Sequence, residues 1–170
     1  MMYDDAILQH PYCYTDTVPR KMCDMEECIM RQKPRLIAKE MESPRLNCLP
    51  GWENEVYIIA DHTDDKAFIH EMVGSLLRNG YQDIRVAGQF RQQWVDAINL
   101  ANAASGDAQY VYARSFETVE ELANAVRASV QCRSLMAYNV YLISDDNNLT
   151  EYVLSIAEPV NQIMILRKVG

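Results

Sequence analysis

The sequence predicts a three-layer α/β/α domain on a five-stranded parallel sheet, preceded by an irregular N-terminal extension. Three observations carry this. Short, nearly all-apolar runs recur, of the kind found where a strand is covered on both faces. Between them lie stretches with apolar residues at helical spacing. The connections are short, which favours strands in parallel with right-handed helical crossovers and helices on both faces.

The domain is expected over residues 53–170 and the extension over 1–52, where five of the chain's 6 prolines fall: Pro11, Pro19, Pro34, Pro44 and Pro50. Proline removes a backbone donor and fixes φ, so long elements are not expected there. Short helices are expected near Asp24–Gln32 and Leu36–Met41. Met22, Met25, Met30 and Met41 suit an adaptable contact with a protein partner or a second copy of the chain.

From Glu53 onward each element has a local cause. Val56–Ala60 is the first strand. A helix over Asp64–Asn79 carries Phe68, Met72 and Leu76 on one face and stops at Asn79-Gly80. Ile84–Ala87 is the second strand, followed by a helix over Arg91–Ala104 with Trp94, Ile98 and Ala101 inward. Gln109–Ala113 is the third strand. Thr118 with Glu121 three residues later forms a capping-box pattern, which opens a helix whose stripe is Val119, Leu122, Val126 and Val130. Val140–Ile143 is the fourth strand. Asn147 or Asn148 caps the next helix, closed by Pro159, and Ile163–Leu166 is the fifth strand.

Two strand orders fit this rhythm, 3-2-1-4-5 and 2-1-3-4-5. In both, every strand-to-helix loop lies at the carboxyl edge, where such sheets bind ligands.

Composition narrows the function classes. A net charge of −8 disfavours broad nucleic-acid binding through Lys and Arg, although a bound cation inverts local charge. No apolar run is long enough to span a bilayer, and "MMYDDAILQHPYCYTD" lacks the basic and apolar regions of a signal peptide, so a cytoplasmic protein is expected. The 5 cysteines are an odd number. Cys13, Cys23, Cys28 and Cys48 show no C-x-x-C spacing, and small buried hydrophobes are the favoured reading over a zinc site completed by His10.

The chemistry-bearing residues are acids that follow two strands: Asp61 after the first, Asp145 and Asp146 after the fourth. In the 3-2-1-4-5 order these strands are neighbours, and the carboxylates converge. Like charges at short range need a proton or a cation between them. Clustered oxygen ligands suit Mg²⁺ or Mn²⁺. Glu121, with Glu117 and Glu120, starts a helix at the same edge and offers a further carboxylate. Capping and the helix dipole alone also account for acids at such positions. His62 beside Asp61 reads as an exposed loop histidine.

"LISDDNNLTEYV" resembles the motif of NYN/PIN-type ribonucleases, a strand followed by Ser-Gly-Asp-x-Asp-Phe and a helix. Ser144 matches the serine and Asp146 the first aspartate. "YIIADHTD" is similar to the family's first strand, with Asp61 at its metal-binding position. The resemblance implies a 3-2-1-4-5 sheet and Mg²⁺- or Mn²⁺-dependent RNA cleavage, with Asp61 and Asp146 catalytic; the placement of the acids at the carboxyl edge adds Asp145 and Glu121, so the candidate metal ligands are Asp61, Glu121, Asp145 and Asp146. The departures are Asp145 for the glycine, Asn148 for the second aspartate and Leu149 for the phenylalanine; a non-cleaving relative fits them equally. "ADHTDDKAFIHEMVGSLLRNGY" is similar to the opening of TIR domains, five-stranded signalling modules, but no Ser-x-x-x-Trp-x-x-x-Glu follows. A structural subunit is the third alternative. The flavodoxin-like order shares the architecture without the acids' convergence.

Overall fold

The computed structural model describes residues 34–44, 54–105, 111–132, 139–157 and 163–166, all within one compact unit, Arg31–Gly170. Its strands are β1 (Arg35–Glu40), β2 (Asn54–Ile59), β3 (Asp83–Ala87), β4 (Tyr112–Ser115), β5 (Asn139–Ser144) and β6 (Ile163–Leu166). Its helices are α1 (Lys66–Arg78), α2 (Arg91–Ala104), α3 (Val119–Gln131) and α4 (Asn147–Ala157). The strands form one sheet in the order β4-β3-β2-β5-β1-β6, with every pair parallel.

The predicted three-layer parallel architecture is present, and β2 and β5 lie at its centre. With β1 set aside, the order is 3-2-1-4-5 in the counting used for the sequence. Alternation along each central strand divides the core. Val56, Ile58, Ala60, Tyr141 and Ile143 pack with α1 and α2 on one face. Tyr57, Ile59, Val140 and Leu142 pack with α3 and α4 on the other. Fully burying a side chain of this size contributes about 1.5–3 kcal/mol, so the two central strands anchor both faces.

One element departs from expectation. Leu36–Met41 was expected to be a helix in the extension; Arg35–Glu40 is instead a sheet strand between β5 and β6. Leu, Ala, Lys and Glu have good helix propensity, but the run is short and Leu36, Ile37 and Ala38 are all buried. Burial on alternate faces between two strands overrides that weak local preference. Met41, counted among the partner-facing methionines, is buried in the core. The parallel sheet therefore begins before residue 53, and the expected five strands become six among the described residues. The expected helix near Asp24–Gln32, and His10, Cys13, Cys23, Cys28, Cys48 and Pro159, lie outside the described residues. Cys132 is exposed and free.

Helix ends follow the sequence closely. Asp65 caps α1 by accepting from Ala67 N at 2.9 Å, and Gly80 takes the left-handed conformation past its end, φ +82°. Thr118 and Glu121 form the predicted capping box of α3. At α4 the cap differs: Asp146, not an asparagine, accepts from Leu149 N at 2.9 Å. Strand β4 ends later than expected, at Ser115, its register pairing Asp83 with Tyr112 and Val86 with Ser115; Gln109 and Tyr110 of the expected strand lie outside the described residues. This strand is largely exposed, so burial does little to signal its limits in the sequence.

Near the start of β2 and β3, a polar cluster ties the sheet to the end of α3. Arg85 binds Asp83 at 2.6 Å and Glu55 at 3.3 Å, donates to the Tyr57 hydroxyl and stacks 4.9 Å over its ring. Ser129 donates to Glu55 at 2.6 Å. Burial pushes the Tyr57 phenol up to about 12, with the Ser129 hydrogen bond opposing it. These groups lie at the opposite end of the strands from the acids discussed next. Among the described residues no helix is long and apolar enough to cross a membrane.

Candidate metal centre

The site begins with strand pairing. In the register of β2 and β5, Ile59 lies opposite Ser144, so the two chains leave the sheet side by side. Asp145 N donates to Ile59 O at 3.3 Å. The Asp145 carboxylate then turns toward the loop after β2. Its Oδ1 accepts from Asp61 N at 2.9 Å, and its Oδ2 accepts from His62 N at 2.9 Å and Thr63 N at 2.7 Å. A loop leaving a strand has backbone donors with no ladder partner, and a charged acceptor satisfies them strongly. Both Asp145 oxygens are thereby engaged in holding the backbone that carries Asp61 and His62.

Asp146 is held differently. Its main chain closes a tight turn with buried Ser144, whose Oγ accepts from Asp146 N at 3.0 Å and donates to Asp146 O at 2.8 Å. Thr150 adds N and Oγ1 bonds to the same carbonyl, at 3.0 and 2.8 Å. The side chain caps α4 through Oδ1, which leaves Oδ2 to meet His62 Nε2 at 2.9 Å. The Leu149 N–H holds the Asp146 carboxyl below its ordinary value, and the His62 hydrogen bond acts in the same direction. Reciprocally, the bond to Asp146 raises the His62 pKa, reinforced by the charges of Asp145, Asp146 and Asp61.

Asp61 is placed by a third loop. Its Oδ1 accepts from Gln89 N at 3.2 Å, just after β3. The approach depends on Gly88, whose φ is +106° and whose missing Cβ would lie 2.4 Å from Ala60 O. Phe90 N donates to that carbonyl at 2.9 Å.

One ligand atom from each of Asp61, His62 and Asp146 lies within 4.8 Å of the others. The structure thus brings together Asp61 and Asp146, two of the three acids predicted to converge. It adds His62; the side chain is 62% exposed, as expected of a loop histidine, yet it belongs to the group. The signal was present in the Asp-His pair directly after a central strand, but only the strand order sets it opposite Asp146. Asp145 lies at the same edge with both oxygens on backbone N–H groups. Glu121 is committed to the start of α3, where its Oε2 accepts from Glu117 N at 3.0 Å and Thr118 N at 3.4 Å. Glu117 pairs with Arg91 at 2.8 Å. Neither Asp145 nor Glu121 belongs to the three-residue group.

No protein-family model, curated protein or solved structure matches the chain. The chemistry of the site therefore rests on its own residues. Two carboxylates and an imidazole, all reached by solvent to some degree, form a donor set that suits a divalent cation with positions left open for water.

Proposed function

We propose that this domain is a metal-dependent, ribonuclease-like module of the NYN/PIN kind, with Asp61 and Asp146 as the principal ligands of one divalent cation, Mg²⁺ or Mn²⁺. The observation that carries the proposal is the convergence of Asp61 and Asp146 from adjacent central strands. The 3-2-1-4 portion of the sheet order also supports it, because the resemblance of "LISDDNNLTEYV" implies that order.

A divalent cation here would lower the pKa of a bound water and offset phosphate charge during hydrolysis of a phosphodiester. The chain's own contribution is positional. Asp145 holds the backbone of residues 61–63, Leu149 N aims the Asp146 carboxylate, and Gln89 N aims Asp61. The net charge of −8 gives a cation a second task, since RNA otherwise approaches an acidic edge. With Asp145 engaged by the backbone and Asn148 neutral, the site has fewer charged ligands than the family's motif implies, and weak cation affinity is expected.

The test is cleavage of end-labelled single-stranded RNA by the full chain in Mn²⁺. Chelator-sensitive cleavage that disappears in Asp146→Asn supports the proposal. No cleavage at any Mn²⁺ concentration, or cleavage that persists in Asp146→Asn, refutes the hydrolase.

A further inference from the structure

We propose that His62 is a third metal ligand and that it tunes the site toward a transition-metal dication, of the Mn²⁺-to-Zn²⁺ series, in preference to Mg²⁺. The inference rests on the cation site proposed above, but it changes the ion expected there and assigns a selectivity role to a residue outside the acidic motif.

The geometry comes first. His62 Nε2 and Asp146 Oδ2 are 2.9 Å apart. Two ligands at right angles, each ~2.1 Å from an ion, lie ~3.0 Å from each other. The nitrogen and oxygen already have the separation of neighbouring ligands on one cation. The full set lies within 4.8 Å, against ~4.2 Å between opposite ligands at the same bond length. Because His62 and Asp146 are already at ligand spacing, the excess lies in a distance to Asp61, and a shift of about half an ångström closes it.

The loop is also prepared for this. Asp145 Oδ2 fixes the His62 backbone through its N–H, and Leu149 N holds the other oxygen of Asp146, so Oδ2 keeps its aim. A cation between the imidazole ring and the carboxylates would replace the direct His62–Asp146 hydrogen bond with two metal bonds. Neither residue would need a new backbone position.

Selectivity follows from donor type. Mg²⁺ takes oxygen ligands and dehydrates reluctantly, so an imidazole adds little to its binding. Imidazole nitrogen suits Zn²⁺ and neighbouring transition ions, whose affinities rise from Mn²⁺ through Co²⁺. Two carboxylates alone discriminate poorly; the nitrogen is the discriminating donor.

Calorimetric titration of the full chain with Mg²⁺, Mn²⁺ and Co²⁺, repeated on His62→Ala and Asp146→Asn, tests this. Ions held by cysteine thiols are the same in all three proteins and cancel in the comparison. His62 is exposed, so its replacement leaves the fold intact, which thermal melting checks. The expected result is tighter binding of Co²⁺ than Mg²⁺, a loss of at least about tenfold in Co²⁺ affinity in His62→Ala on the scale of lost ligand support, unchanged Mg²⁺ affinity in that variant, and loss of both ions in Asp146→Asn. If Mg²⁺ and Co²⁺ bind alike and only Asp146→Asn weakens them, the site is a carboxylate site; the role of His62 is overturned while the cation proposal stands. If Asp146→Asn matches wild type for every ion, both proposals fall.

Discussion

Replacement of Asp145 by alanine removes the acceptor of three backbone hydrogen bonds, from Asp61 N at 2.9 Å, His62 N at 2.9 Å and Thr63 N at 2.7 Å. The Asp145 N bond to Ile59 O involves only main chain and survives the substitution. Hydrogen bonds to a charged acceptor are each worth about 1.5–3 kcal/mol, which sets an upper bound of about 4.5–9 kcal/mol for all three if none were replaced. The loop is partly open, with His62 exposed, so water takes over much of the donors' demand. A loss of about 2–3 kcal/mol is therefore expected, near the value of one well-placed charged bond. Asp145→Asn retains one carbonyl acceptor and should fall between alanine and wild type. Urea denaturation of the full chain measures the difference through its midpoint at constant slope. An Asp145→Ala protein within about 0.5 kcal/mol of wild type would mark Asp145 as an ordinary surface residue and refute the clamp.

Four further outcomes are expected. The His62 imidazole should titrate above its ordinary value of 6.5, followed by NMR, and return toward it in Asp146→Asn. Because the His62 pKa is raised on folding and that of Asp146 is lowered, the pair's contribution to stability should be greatest between 3.8 and 6.5, their ordinary values; it is lost above this window as pH rises through the folded His62 pKa and below it as pH falls through the folded Asp146 pKa. Gly88→Ala should destabilise by at least about 1–3 kcal/mol from backbone strain alone, with the close approach to Ala60 O adding to it, as read by thermal melting. Glu121→Ala should cost about 1 kcal/mol through loss of the capping box and leave cation affinity unchanged; a large loss of affinity would return Glu121 to the metal site.

How much of this was legible in the sequence depended on how strongly each residue's surroundings mark it. β2 and β5 could be read because both faces are covered, so Val56–Ala60 and Val140–Ile143 are apolar without interruption. Thr118 and Glu121 announced α3 because capping is a local interaction. β1 was missed because its pairing with β5 and β6 is remote in sequence, while its own residues favour a helix. At the site, the convergence of Asp61 and Asp146 followed from their positions after two strands once these were neighbours. The different duties of Asp145 and Asp146 were not legible: adjacent carboxylates in a loop carry no sequence mark of which one meets backbone N–H groups and which one meets His62.

The proposed cation sits among Asp61, His62 and Asp146. Paramagnetic broadening of amide resonances by substoichiometric Mn²⁺ tests it most directly, because the effect falls off steeply with distance from the ion. The strongest broadening is expected on residues 61–63 and 145–146 and should disappear in Asp146→Asn. Broadening centred instead on Glu117–Glu121, or equally strong in Asp146→Asn, would contradict it.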